Sequence, residues 1–172
     1  MHTDHKILIS HSRIEQRLQE LGKQITRDYL GKDLVVLGIL KGSFVFAADL
    51  VRQIALPLEI DFIGVSSYAG TTTTEDCKVT KELHLDINNK NVLIVEDIVD
   101  TGYTIKFLMN YLKKYNPSSI EVCTFLHKPA ARKAQFILKY QAFEIGNEFV
   151  IGYGLDYNEK YRNLADVCIL KI

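Results

Sequence analysis

The chain lacks several of the signals that would assign it quickly. Cysteine is scarce: Cys77, Cys123 and Cys168 are the only three. They form no CxxC pair, and an odd count argues against a full disulfide framework. Cys123 and Cys168 sit in apolar strand-like runs and read as buried small hydrophobes, whereas Cys77, in a polar stretch, is a candidate exposed thiol. Neither sign of charge is in surplus: 21 basic and 21 acidic residues give a net charge of zero, which argues against a polyanionic partner such as nucleic acid. No apolar run approaches the ~20 residues needed to span a bilayer. Met1 to Lys6 is polar, without the apolar core of a signal peptide. A reduced cytoplasmic protein with no membrane partner is the expectation. The phosphate-binding patterns GxxxxGK[ST] and GxGxxG are missing too. The five histidines, at positions 2, 5, 11, 84 and 127, have no zinc-ligand spacing and no nucleophile partner.

What is present suits a real core: 172 residues, 47% of them apolar, enough for one domain. Lys6 to Ile9 reads as a short strand. Ser12 and Glu15 read as a capping box opening a helix, with Ile14, Leu18, Leu21 and Ile25 on one face and Gly31 as the stop. Leu34 to Leu40 is a buried strand, and Gly42-Ser43 turns it into a helix carrying Phe46, Leu50 and Ile54. Leu58 to Ser67 is another strand candidate, Tyr68 to Asp76 a polar loop, and Lys78 to Leu85 a weak edge strand. Ile120 to Leu126 is a strand again, and short apolar pieces follow at Phe149 to Ile151 and Val167 to Leu170. Alternating strands and helices predict an α/β fold: a central, mainly parallel sheet flanked by helices. The short elements from roughly residue 142 to 172 would form a small C-terminal hood, together with the N-terminal segment. Ligands in such sheets bind beyond the carboxyl ends of the strands.

One stretch carries most of the chemistry. Val92 to Thr104 reads VLIVEDIVDTGYT. Four apolar residues, Val92 to Val95, form a short buried strand. Glu96, Asp97 and Asp100 follow, then Thr101, Gly102, Tyr103 and Thr104 open a helix with Ile105, Leu108, Met109 and Leu112 on its apolar face. A helix cap alone would need one acid, and here there are three. Acids at a strand end followed by a Gly/Thr turn suit a sugar phosphate with a metal. Helix-terminal N–H groups take the phosphate. Carboxylates grip ribose hydroxyls and a hard cation such as Mg2+.

This segment resembles the diphosphate-sugar motif of the type I phosphoribosyltransferases, which use 5-phosphoribosyl-1-diphosphate (PRPP). Within them, the chain is similar to the bacterial hypoxanthine-guanine enzymes over roughly Leu34 to Ile172, with five motifs in the same order. The resemblance implies transfer of 5-phosphoribose from PRPP to N9 of hypoxanthine or guanine, in a dimer or tetramer. Glu96 and Asp97 would hold ribose hydroxyls and Mg2+, and Asp100 would accept a proton from the purine. Asp100 would also line the ribose-phosphate site, where Thr101, Gly102, Tyr103 and Thr104 hold the 5-phosphate. Tyr103 departs from the small or polar residues usual there, so its backbone N–H is the expected contributor. Lys41 and Gly42 match a pyrophosphate-binding loop in which the Leu40–Lys41 peptide bond can be cis. Ser67 and Tyr68 match the start of a catalytic lid. Lys128 matches a lysine that donates to the purine 6-oxo group, a role an ammonium suits because it carries only donors. Phe149 would stack on the base and Val150 would read its edge through the backbone. Asp156 would bind a second Mg2+ near the purine 2-position, and Arg162 would pair with pyrophosphate.

Two other readings stand beside this one. Some PRPP-binding folds are regulators that bind RNA, against which stand the neutral charge and the set of Lys41, Asp100 and Arg162. Among other bases, Lys128 disfavours adenine and the segment from Phe149 to Asp156 disfavours uracil, while xanthine shares the 6-oxo group.

Overall fold

The buried strands are assembled so that alternate side chains feed two separate cores. In β2 (Leu34–Leu40), Leu34 and Val36 enter one core, and Val35, Leu37 and Ile39 enter the other. β5 (Asn91–Val99) repeats the division, with Leu93 and Val95 on the first side and Val92 and Ile94 on the second. Two-sided burial is why these segments read as unbroken apolar runs. The structure is a computed structural model and describes residues 5–67 and 77–170.

Six strands form the main sheet, in the order β4-β3-β2-β5-β6-β7. β3 (Glu59–Ser67), β6 (Ser119–His127) and β7 (Tyr140–Glu144) run parallel with β2 and β5. β4 (Cys77–Lys81) closes one edge antiparallel to β3. α1 (His11–Asp28) and α2 (Phe44–Gln53) cover the first face through Ile14, Leu18, Leu21, Ile25, Phe46 and Leu50. α3 (Tyr103–Leu112) covers the second through Ile105, Leu108 and Leu112. A second, three-stranded sheet has the order β1-β9-β8, where β1 is His5–Ile9, β8 is Val150–Ile151 and β9 is Val167–Leu170. Among the described residues, no helix is long and apolar enough to cross a membrane.

Phe125 joins the layers. Its ring lies 5.3 Å from that of Phe46 on α2, 5.8 Å from Phe143 on β7 and 4.7 Å from Tyr153, which follows β8. The Tyr153 hydroxyl then donates to Asp49 Oδ2 on α2 at 2.6 Å, fixing the turn after β8 to the first-face helices.

Several local expectations need correction. The capping box at Ser12 and Glu15 does not form: α1 starts at His11, and the Ser10 and Ser12 hydroxyls meet each other at 3.1 Å. The helix start is capped from afar instead, since the His11 N–H donates to Asp166 Oδ1 at 2.7 Å. α1 ends at Asp28, and Gly31, with φ +74, lies in the following turn. Cys77 is buried in the edge strand rather than exposed in a loop. β7 was not foreseen. Its sequence, YQAFE, is short and mixed: Tyr140 and Ala142 are buried in the first core, and Phe143, between Ala142 and Glu144, packs against that core only in part.

Candidate active site

The strand with the acids runs further than its apolar core suggests. β5 continues to Val99, so Glu96 lies inside the sheet, paired in register with Thr124 of β6. β6 supplies ladder partners that hydrophobicity alone does not reveal. Glu96 is consequently buried, Asp97 beside it is half-buried, and the Asp97 N–H donates to Glu96 Oε1 at 3.2 Å. Burial, and then the neighbouring Asp97, push the Glu96 carboxyl well above its usual range. Asp97 is also raised by burial, against the opposing pull of Glu96, the Ile98 N–H and Arg162. A buried and a half-buried acid in contact, with oxygen donors only, make a site short of positive charge. That donor set fits a hard divalent cation. No three His, Cys, Asp or Glu side chains converge on one point among the described residues. Mg2+, when held by a few carboxylates, completes its shell with water and substrate oxygens.

Beyond Val99 the chain turns into α3. Asp100 is exposed, and the Thr101 carbonyl accepts from the Lys133 and Ala134 N–H groups at 3.0 and 2.9 Å. Gly102 sits at the helix cap with φ +81, and among the described residues no side chain caps the first turn. The early N–H groups of α3 therefore lack the side-chain oxygen that usually satisfies them, and Thr101, Tyr103 and Thr104 surround that opening half-buried.

Three segments meet at Asp97. The Leu40–Lys41 peptide bond is cis, and Gly42 follows against Asp97 so closely that a Cβ on Gly42 would overlap Oδ2. The Gly42 carbonyl oxygen in turn lies where a Cβ of Gly154 would be. Arg162 Nη1 donates to the Gly154 carbonyl at 2.7 Å, and Nη2 lies 2.8 Å from Asp156 Oδ1. Arg162 Nε is buried with no partner among the described residues. Lys41 Nζ stands 3.1 Å from Glu159 Oε2.

The fourth segment is set by β6 and the small sheet. Lys128, just past β6, donates its N–H to the Val99 carbonyl and its Nζ to the Glu148 carbonyl, both at 2.9 Å. Phe149 is 44% exposed, a high value for so large an apolar ring, and meets Tyr157 edge-on at 5.7 Å. The Phe149 carbonyl accepts from the Leu170 N–H, and Val150 is buried in β8 beside Ile169. Asp156 is held by Arg162 and by the Glu159 N–H, so its carboxylate already has two partners. Ser67 ends β3, while Tyr68 and the lid expected from 67 to 76 otherwise lie outside the described residues. Asp49, Tyr153 and Glu159 were not singled out from sequence. The usable signal was the Gly152-Tyr153-Gly154 spacing and the Asn158-Glu159 turn.

The profile of the phosphoribosyl transferase domain matches residues 5–158. A hypoxanthine phosphoribosyltransferase of Haemophilus influenzae is 49% identical over 163 residues, covering 92% of this chain and 91% of the relative. A hypoxanthine-guanine phosphoribosyltransferase of Staphylococcus aureus is 47% identical over 173 residues, covering 99% and 97%. The solved hypoxanthine-guanine phosphoribosyltransferase of Bacillus anthracis, with HEPES in its active site, superposes with a TM-score of 0.93 at 43% identity, covering 97% of each chain. With its profile match spanning most of the chain and these relatives nearly all of it, the protein belongs to the phosphoribosyltransferase family.

Proposed function

We propose that this chain transfers 5-phosphoribose from PRPP to N9 of hypoxanthine or guanine, giving IMP or GMP and pyrophosphate. The observation that carries the reading is the meeting of Gly42, Asp97 and Arg162 at the end of β5, beside the uncapped start of α3. On this reading a phosphate cradle, ribose-binding acids and diphosphate-binding cations would lie together at that end of the sheet.

The roles follow from that placement. The uncapped N–H groups at Gly102 to Thr104, with the Thr101 and Thr104 hydroxyls, take the 5-phosphate. Glu96 and Asp97 accept from the ribose hydroxyls. Lys41, the Gly42 backbone and the Arg162 guanidinium, whose Nε has no partner among the described residues, bind the diphosphate, a group that a forked guanidinium matches. Phe149 presents its open ring to the base, the Val150 backbone borders it, and Lys128 Nζ exchanges the Glu148 carbonyl for the 6-oxo oxygen. The C1–diphosphate bond breaks as the N9–C1 bond forms, and the exposed Asp100 carboxylate takes the proton released from the purine ring. Mg2+, held by Glu96 and Asp97 and in a second position by Asp156, would neutralise charge on the departing diphosphate. Ser67 and Tyr68 would begin the lid that excludes water.

The reading treats residues 1–172 as one catalytic unit hooded by the small sheet. It expects a cytoplasmic dimer or tetramer, which light scattering would establish as to size. The decisive assay is product formation from PRPP and Mg2+ with hypoxanthine, guanine, xanthine, adenine and uracil. Nucleotide from the first two, with little from the rest, is the expected result. Equal use of adenine would remove Lys128 as selector, and no product with any base would remove the reaction.

A further inference from the structure

Glu159 occupies an unusual place. A single carboxylate oxygen, Oε2, lies 3.1 Å from Lys41 Nζ and 3.5 Å from Arg162 Nη2. These are the two cations assigned above to the diphosphate. The residue reaches them from the tip of a tight turn in which Tyr157 and Lys160 exchange N–H···O bonds of 3.1 Å in both directions. Asn158 and Glu159 fill the two central positions with φ of 52 and 61. Two left-handed residues in succession make the turn type that favours Asn followed by Gly. Asn158 follows that preference and Glu159 does not. A long side chain at a left-handed position carries a backbone cost that glycine would avoid, so the carboxylate is there despite local preference. Asp156 Oδ2 secures the arrangement by accepting the Glu159 N–H at 2.8 Å.

We propose that Glu159 is a built-in counter-ion for the pyrophosphate-binding cations, filling the gap between Lys41 and Arg162 until a diphosphate displaces it. The inference rests on Lys41 and Arg162 binding the diphosphate. Lys41 holds the Glu159 carboxyl below its usual range, so the group is ionised at neutral pH. Both partners of the Lys41–Glu159 pair are largely exposed, which makes the contact weak and easily exchanged. A singly charged carboxylate can hold the two cations apart from solvent anions, yet it yields to a multiply charged diphosphate. On release of product it competes for the same cations. Glu159 therefore lowers the affinity of the site for pyrophosphate and limits product retention, without touching the reacting atoms.

The test is calorimetric titration of pyrophosphate with Mg2+ into the wild-type chain, Glu159→Gln and Glu159→Gly, alongside thermal melts. Both variants should bind pyrophosphate about threefold to tenfold more tightly, a gain that shrinks with added salt. In a Lys41→Met background, Glu159→Gln should give less than half of that gain. The KM for PRPP should fall in step with the dissociation constant while kcat does not rise. Glu159→Gly should melt no lower than wild type, which separates charge removal from damage to the turn. Unchanged or weaker pyrophosphate binding in both variants overturns the proposal. So does a wild-type chain that binds no pyrophosphate. A wild type that binds pyrophosphate but makes no nucleotide, with tighter binding in the variants, would overturn the purine assignment and leave the role of Glu159 standing.

Discussion

Gly42 and Asp97, far apart in sequence, are packed so that the carboxylate Oδ2 of one occupies the space where the other would carry a side chain. The turn after β2 and the acid on β5 are thus set in a single arrangement. Gly42→Ala forces one of them to move. Displacing a substrate-holding group by a fraction of an ångström is costly to rate, so kcat/KM for PRPP should fall by about tenfold or more. Steady-state kinetics beside a thermal melt checks this, and unchanged kinetics would show that the contact is not sensed by substrate.

Asp100→Asn should keep the fold and PRPP binding but lower turnover by about 100-fold or more, because an amide cannot take the purine proton. Near wild-type turnover would remove Asp100 from the mechanism.

The buried Glu96 predicts a pH signature. Glu96 is raised in the folded protein above its ordinary 4.5, chiefly by burial. The unfolded chain therefore releases that proton at lower pH than the folded one, and stability drains away as pH rises from about 4.5 towards the folded value. In chelator-treated protein, Glu96→Gln should melt close to wild type in acid and above it at neutral pH. Adding Mg2+ at neutral pH should raise the Tm of wild type more than that of the variant. A Tm difference that does not vary with pH would contradict the assigned burial.

Lys128→Met should raise the KM for hypoxanthine and guanine by about tenfold to a hundredfold, the consequence of leaving the 6-oxo oxygen without its donor. The inhibition constant for pyrophosphate should stay within about twofold, since Lys128 lies in another segment of the site. Equal losses for both ligands would point to general damage.

Much of the scaffold was legible because it obeys short-range rules. The apolar runs of β2 and β5, the helical spacing of Ile14 to Ile25, and the Gly/Thr opening of α3 each declare themselves within a dozen residues. The extension of β5 through Glu96 to Val99 was not legible, because a carboxylate inside a sheet is made tenable by β6 and by what the site binds. The cap on α1 escaped for a similar reason: its oxygen comes from Asp166, while Ser12 next door offered a plausible local substitute. β7 was missed since its five residues, with Gln141 and Glu144 among Tyr140, Ala142 and Phe143, are too few and too mixed to show a period. Within the site, the residue types of Lys41, Glu96, Asp97 and Arg162 were readable, and so was their segment order. Their mutual contacts were not, nor was the bridging position of Glu159, which depends on a left-handed turn that its own side chain disfavours.

The order β1-β9-β8 in the small sheet has a consequence for biosynthesis. The middle strand is the last of the three to be made, so His5–Ile9 and Val150–Ile151 have no partner until residues 167–170 have left the ribosome. At about 5–20 residues per second, β1 waits on the order of ten seconds with an exposed edge. The main sheet can pair during that interval, because its six strands are all complete by Glu144. Phe149, whose carbonyl is held by the Leu170 N–H, is placed only afterwards. A released chain truncated just short of β9 should therefore fold its main sheet, with the proposed phosphate cradle, while Phe149 and the proposed seat for the purine stay unplaced.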